Sequence, residues 1–111
     1  MHTNNKLILG DYCLLDIHRG MLIKNGIASS FSKSETLILQ CLAKRIGQPT
    51  SKMELIDYVW GKTNHPTERL LYQIIHRIRT KLEANVHEPK YLIAVRGFGY
   101  MLSCPYVQEI S

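Results

Sequence analysis

Residues 67–84 read TERLLYQIIHRIRTKLEA. Leu70, Leu71, Ile74, Ile75, Ile78 and Leu82 recur at three- and four-residue spacing, the period of one helix face. Arg69, Gln73, His76, Arg77 and Thr80 fall on the other side. Pro66 suits a first helical turn, where a missing N–H costs nothing. The polar run Asn85 to Pro89 ends the pattern. The spacing predicts a helix over about 67–84, with an aliphatic face that must be buried. Its polar face carries two arginines, an amide and an imidazole.

Working toward the N-terminus, Ser51-Lys52-Met53-Glu54 has the form of a capping box, a hydroxyl at the N-cap and a carboxylate three residues on. It opens a short helix with Leu55, Ile56, Val59 and Trp60 on one side, closed by Gly61. Ser32-Lys33-Ser34-Glu35 is a second such box. It opens a helix to about Lys44, with Leu37, Ile38, Cys41, Leu42 and Ile46 as its apolar face, and Gly47-Gln48-Pro49 stops it. Helices joined by a short Gly/Pro turn suggest a helix-turn-helix arrangement. The first thirty residues alternate and turn instead. Strands are predicted at 6–10, 12–16, 21–24 and 27–30, with a turn at 17–20. Asn25-Gly26 is a strong hairpin signal, because both residues tolerate positive φ. Beyond the long helix, Lys90 to Val95, the glycine turn Arg96-Gly97-Phe98-Gly99, and Tyr100 to Cys104 make a C-terminal hairpin. The expected fold is α+β: an antiparallel sheet of three or four strands, three helices and a hairpin. One domain over residues 1–104 is expected, with 105–111 as a tail or the start of a linker.

The 111 residues are 45% apolar and 21% charged. A chain of this size buries roughly two-thirds of its unfolded surface, so a core forms without staples. Apolar runs such as Leu7-Ile8-Leu9 fall far short of the ~20 residues of a membrane span. Residues 1–5 are mostly polar, with no greasy stretch of signal-peptide type following. Cys13, Cys41 and Cys104 form an odd set without a C-x-x-C pair, which argues for free thiols in a reducing cytoplasm. The five histidines are scattered, and neither a metal site nor a cofactor is expected. Fourteen Lys+Arg against nine Asp+Glu give +5, and residues 65–100 supply +3 of it, six basic against three acidic. A basic excess in that region points to an anionic partner, nucleic acid first.

The long helix and the hairpin are the two places where that charge is organised. An arginine fork matches guanine and a glutamine amide matches adenine in the major groove, while either can hold a phosphate. Arg96 sits on a hairpin whose glycines permit a tight turn, and an arginine there can enter a narrow, negative minor groove. The plain alternatives are a solvated amphipathic helix and an ordinary β-turn. Catalysis finds no support. There is no G-x-S-x-G elbow, phosphate loop or H-E-x-x-H helix.

Three motifs carry a resemblance. Leu55-Ile56-Asp57-Tyr58-Val59-Trp60-Gly61 is similar to the second helix of the winged-helix output domains of OmpR/PhoB-type response regulators. Ile75-His76-Arg77-Ile78-Arg79-Thr80-Lys81-Leu82 resembles their recognition helix, and Val95-Arg96-Gly97-Phe98-Gly99-Tyr100 resembles their wing. The likeness spans about residues 7–103. It implies sequence-specific binding of double-stranded DNA for transcriptional regulation. By position it implies Gln73 and Arg77 as base readers, and Arg69, His76, Arg79, Trp60 and Lys81 as backbone contacts, with Arg79 alternatively bracing the wing. It implies Arg96 as the minor-groove residue, and Lys62, Thr63, Asn64 and His65 as a loop facing RNA polymerase. A head-to-tail dimer on DNA is a further implied partner. Ala94 departs from the family's usual hydroxyl, so one phosphate contact is expected to be missing. Leu70 and Leu71 stand where relatives often carry small or polar residues. The sheet starts near the N-terminus with no receiver domain ahead of it, as in membrane-anchored regulators of the ToxR/CadC kind, so a tether in a longer parent chain is also implied. The competing reading is a winged helix that docks a protein and reads no bases; exposed aromatics would be expected on such a face.

Overall fold

The computed structural model describes residues 6–10, 12–63, 66–104 and 106–108. Strands β1 (Lys6–Gly10), β2 (Cys13–Asp16), β3 (Met21–Lys24) and β4 (Ile27–Ser30) form the expected antiparallel meander. Leu7 pairs with Leu15, and Leu15 with Leu22. That row is fully buried, as the two-residue alternation requires. Asn25 and Gly26 both adopt positive φ, 53° and 79°, and close the β3–β4 hairpin.

Helix α1 (Lys33–Ala43) begins at a complete capping box, with Ser32 Oγ accepting from Glu35 N and Glu35 Oε1 accepting from Ser32 N. Helix α2 (Lys52–Trp60) departs from the expected pattern. Ser51 Oγ accepts from Glu54 N, but the Glu54 carboxylate pairs with Arg45 of the preceding turn. The nearer cation takes the carboxylate, and α2 is clamped to the end of α1 instead. Helix α3 (Glu68–Leu82) stops short of the expected Ala84, because the Glu83 backbone turns extended there. Leu71, Ile74, Ile75, Ile78 and Leu82 of α3 meet Ile38, Leu39, Leu42, Leu55 and Ile56 in a single core that also takes in the sheet residues Leu7, Leu9 and Leu15. Leu70 packs partly against it.

Two pairings escape the sequence pattern. The two-residue strand β5 (Thr50–Ser51) pairs with β7 (Gly99–Leu102), which pairs with β6 (Leu92–Val95), so the hairpin belongs to a three-stranded sheet. Gly99 permits this, because a Cβ there would lie 2.0 Å from the Thr50 carbonyl oxygen. In addition, the expected tail contains β8 (Tyr106–Gln108), antiparallel to β1. The first sheet therefore has five strands in the order β4-β3-β2-β1-β8. The free edge of β1 is a template for pairing, and three residues are enough to occupy it. The domain thus extends at least to residue 108.

Candidate nucleic-acid interface

Thr67 caps α3, its hydroxyl accepting from Leu70 N at 3.4 Å, and Glu68 lies in the first turn. With the aliphatic stripe pinned in the core, helical phase leaves Arg69, Tyr72, Gln73, His76, Arg77 and Thr80 exposed. Gln73 and Arg77 are four apart and stand one above the other. Thr80 turns its hydroxyl back to the His76 carbonyl at 2.9 Å, so it belongs to the helix more than to a ligand. Tyr72 is 58% exposed and was not among the expected site residues. Its signal in the sequence was plain: it precedes Gln73 on a helix whose buried stripe skips it.

Residues 96–98 form a turn held by Phe98 N donating to Val95 O at 2.9 Å, with Gly97 at φ 75°. Positive φ at this position favours glycine. Arg96 is exposed there. Phe98 O accepts from Lys52 N at 3.1 Å, which fixes the hairpin against the start of α2. A cleft of about 320 Å³ lies between Lys52, Arg69, Tyr72 and Tyr100, with Glu68 and Leu71 at its walls. It joins the beginnings of α2 and α3 to the hairpin.

Two expected contact residues have work inside the fold. Arg79 Nε donates to the Leu92 carbonyl at 3.0 Å, and its guanidinium lies 5.9 Å from the centre of the Tyr100 ring. It braces the wing, one of the two roles expected of it. Lys81 departs from expectation. Its ammonium donates to Glu35 Oε1 at 2.9 Å and to the Ser30 carbonyl at 3.0 Å, and it lies 5.2 Å from the Phe31 ring centre. The reason is phase: position 81 lies at the edge of the buried stripe, facing the strand–helix junction. Burial pushes the Glu35 carboxyl up, but the Ser32 amide and the Lys81 ammonium more than offset it, and the net shift is downward.

Sequence reading also missed Glu83. Its buried carboxylate accepts from Lys90 N at 2.7 Å, Tyr91 N at 3.0 Å and Leu92 N at 2.8 Å. It thereby ties the end of α3 to the first strand of the hairpin. The position of a lone glutamate just past the helix gave no hint, because its partners are backbone amides.

Trp60 is only partly buried, at the end of α2. Lys62 and Thr63 are exposed, while Asn64 and His65 lie outside the described residues. Ala94 is exposed and offers no hydroxyl. Cys13 and Cys41 are free thiols, and burial pushes both up from the usual thiol value.

The family described as "Transcriptional regulatory protein, C terminal" matches residues 27–102. A probable transcriptional regulator ycf27 of Cyanophora paradoxa is 31% identical over 101 residues, covering 89% of this chain and 42% of that protein. This chain thus spans about two-fifths of the length of the curated relatives it matches. Among solved structures, the response regulator DrrB of Thermotoga maritima, an OmpR/PhoB homolog, superposes with a TM-score of 0.76 at 25% identity, covering 89% of this chain and 44% of that one. The Klebsiella pneumoniae RstA DNA-binding domain, in complex with its RstA box, gives 0.71 at 26% identity, covering 88% and 96%.

Proposed function

The chain belongs to the family of C-terminal domains of transcriptional regulatory proteins, of OmpR/PhoB type, and from that membership we propose that it binds double-stranded DNA sequence-specifically to regulate transcription. Helix α3 lies in the major groove and the β6–β7 wing reaches the minor groove. The observation that carries this reading is the exposed row Arg69, Gln73, His76 and Arg77, held outward by Leu71, Ile74, Ile75, Ile78 and Leu82 in the core. Gln73 and Arg77 read bases. Arg69 and His76 hold phosphates, joined by Trp60 from the end of α2. Arg96 enters the minor groove, and Tyr72 adds a surface beside Gln73. The exposed loop at Lys62 and Thr63 faces RNA polymerase. A second copy binds head to tail on the same duplex. The cytoplasm is the compartment this reading implies. Among the described residues no helix is long and apolar enough to cross a membrane.

The exposed aromatics Tyr72 and Phe98 are the features that a protein-docking face would share. The basic row on α3 favours the duplex. The deciding experiment is a competition titration. A duplex selected by the wild-type chain from a random pool is set against a scrambled duplex of the same composition, at one salt concentration. Gln73→Ala and Arg77→Ala each flatten the preference by about 1–3 kcal/mol. A cognate-to-scrambled ratio that survives both changes refutes base reading by α3.

A further inference from the structure

Phe98 stands at the tip of the wing with 49% of its surface exposed. Its backbone is tied at both ends, the amide to Val95 O and the carbonyl to Lys52 N. The backbone that carries the ring is therefore fixed, which lowers the ordering cost to anything that meets it. Alternation along β7 puts Tyr100 and Leu102 on one face. That face meets α3, since the Tyr100 ring lies beside Arg79. Register carries the same face across to Leu92 and Ala94, and the hairpin turns at residues 96–98 beyond them. A cation and an aromatic ring thus flank Gly97 on one exposed turn at the end of the hairpin. A Cβ at Gly97 would find nothing within 4 Å, so the tip is open. Residues 90–104 carry Lys90 and Arg96 and no side-chain carboxylate, which suits a partner with anionic walls.

We propose that Phe98 is an apolar wedge for the DNA minor groove. This rests on the DNA-binding reading above. Arg96 occupies the narrow, negative part of the groove, and the Phe98 ring presses on the adjacent sugars and partly unstacks one base step. Inserted apolar side chains open the groove and kink the duplex. Unstacking costs least at pyrimidine–purine steps. Phe98 therefore selects a flexible step at a position where no side chain hydrogen-bonds to a base edge.

The test uses two duplexes that share the half-site selected by the wild-type chain. One has a TA step where the wing lies, and the other has an uninterrupted A-tract. Affinity is measured by fluorescence polarisation and bending by energy transfer between end labels, for the wild type, Phe98→Ala, Phe98→Leu and Arg96→Ala. The wild type prefers the TA duplex and bends it. Phe98→Ala loses about tenfold on the TA duplex and little on the A-tract, and it bends less, because a kinked step forfeits a contact of this order. Phe98→Leu keeps part of the preference. The salt slope is unchanged in Phe98→Ala, whereas Arg96→Ala lowers it by about one. Equal losses on both duplexes, or an unchanged bend, overturn the wedge. A melting temperature lowered enough to explain the loss does so too. If the wild type binds no duplex, the DNA-binding reading itself falls. If it binds and Phe98→Ala matches it, only the wedge falls.

Discussion

Replacing Lys81 by methionine separates a fold tie from a DNA contact at a position where the two would otherwise be confused. The Lys81 ammonium has two partners in the chain, the Glu35 carboxylate and the Ser30 carbonyl. Methionine keeps most of the length of the apolar stem and removes the charge, which lies near the Phe31 ring. The Glu35 side chain is 5% exposed and keeps its bond from Ser32 N. Breaking a fully buried pair costs about 3–5 kcal/mol. The Lys81 side chain is 36% exposed, so solvent screens part of that, and the expected loss is about 1–2 kcal/mol. For a domain of this size the melting temperature falls by roughly 4–10 °C. The loss depends on pH in a defined direction. Glu35 has a lowered carboxyl pKa in the folded state. Its contribution is present above the unfolded value, about 4.3, and disappears as pH falls through the lower folded value. The wild type and Lys81→Met therefore converge in strongly acidic buffer. The assays are thermal unfolding across pH and DNA titration across salt. A Lys81→Met chain with unchanged melting temperature, whose salt slope drops by about one, would refute the argument and return Lys81 to the phosphates.

The two wing glycines are expected to fail differently. Gly99→Ala forces a Cβ toward the Thr50 carbonyl and Ser51 Cα, costing about 1–3 kcal/mol or more by overpacking; Gly97→Ala meets open space and costs only the ~1–2 kcal/mol of a left-handed residue. Urea midpoints compare the two, and equal shifts would count against the steric account of Gly99. Ile78→Ala empties a fully buried site in the core and costs about 2–5 kcal/mol. Its DNA affinity, corrected for the folded fraction, stays at the wild-type value; a corrected loss would place Ile78 on the wrong face.

What was legible in the sequence was whatever depends on neighbours along the chain. The helical period of residues 70–82 orients α3, and the structure buries Leu71, Ile74, Ile75, Ile78 and Leu82 of that stripe, with Leu70 at its edge. Ser32 and Glu35 mark the start of α1 because a capping box is closed within four residues. Asn25-Gly26 marks a hairpin for the same reason. The misses depend on partners distant in sequence. Glu54 looks identical to Glu35 from its own neighbourhood, yet Arg45 takes its carboxylate. Strands β5 and β8 are too short to show a period, and they exist because β7 and β1 offer free edges.

The same distinction explains why the exposed face of α3 was easier to predict than its supports. Exposed residues on α3 follow from phase alone, so Gln73, Arg77 and Arg69 could be named without knowing what lies beneath them. Arg79, Lys81 and Glu83 sit at the edge of the stripe, where phase does not decide between solvent and neighbour. The structure gives each a partner far away: Leu92 for Arg79, Glu35 and Ser30 for Lys81, and the amides of 90–92 for Glu83. Together they anchor the last turns of α3 to the sheet junction on one side and to the wing on the other. The base reading proposed for Gln73 and the minor-groove contact proposed for Arg96 would require a fixed distance between helix and wing. In this chain the Arg79 and Glu83 ties bridge that distance directly, while Lys81 holds the helix end to the first sheet. Basic charge on α3 therefore divides by phase: the arginines at 69 and 77 are exposed, where the proposed function would use them on the duplex, and the cations at 79 and 81 tie the helix to its neighbours.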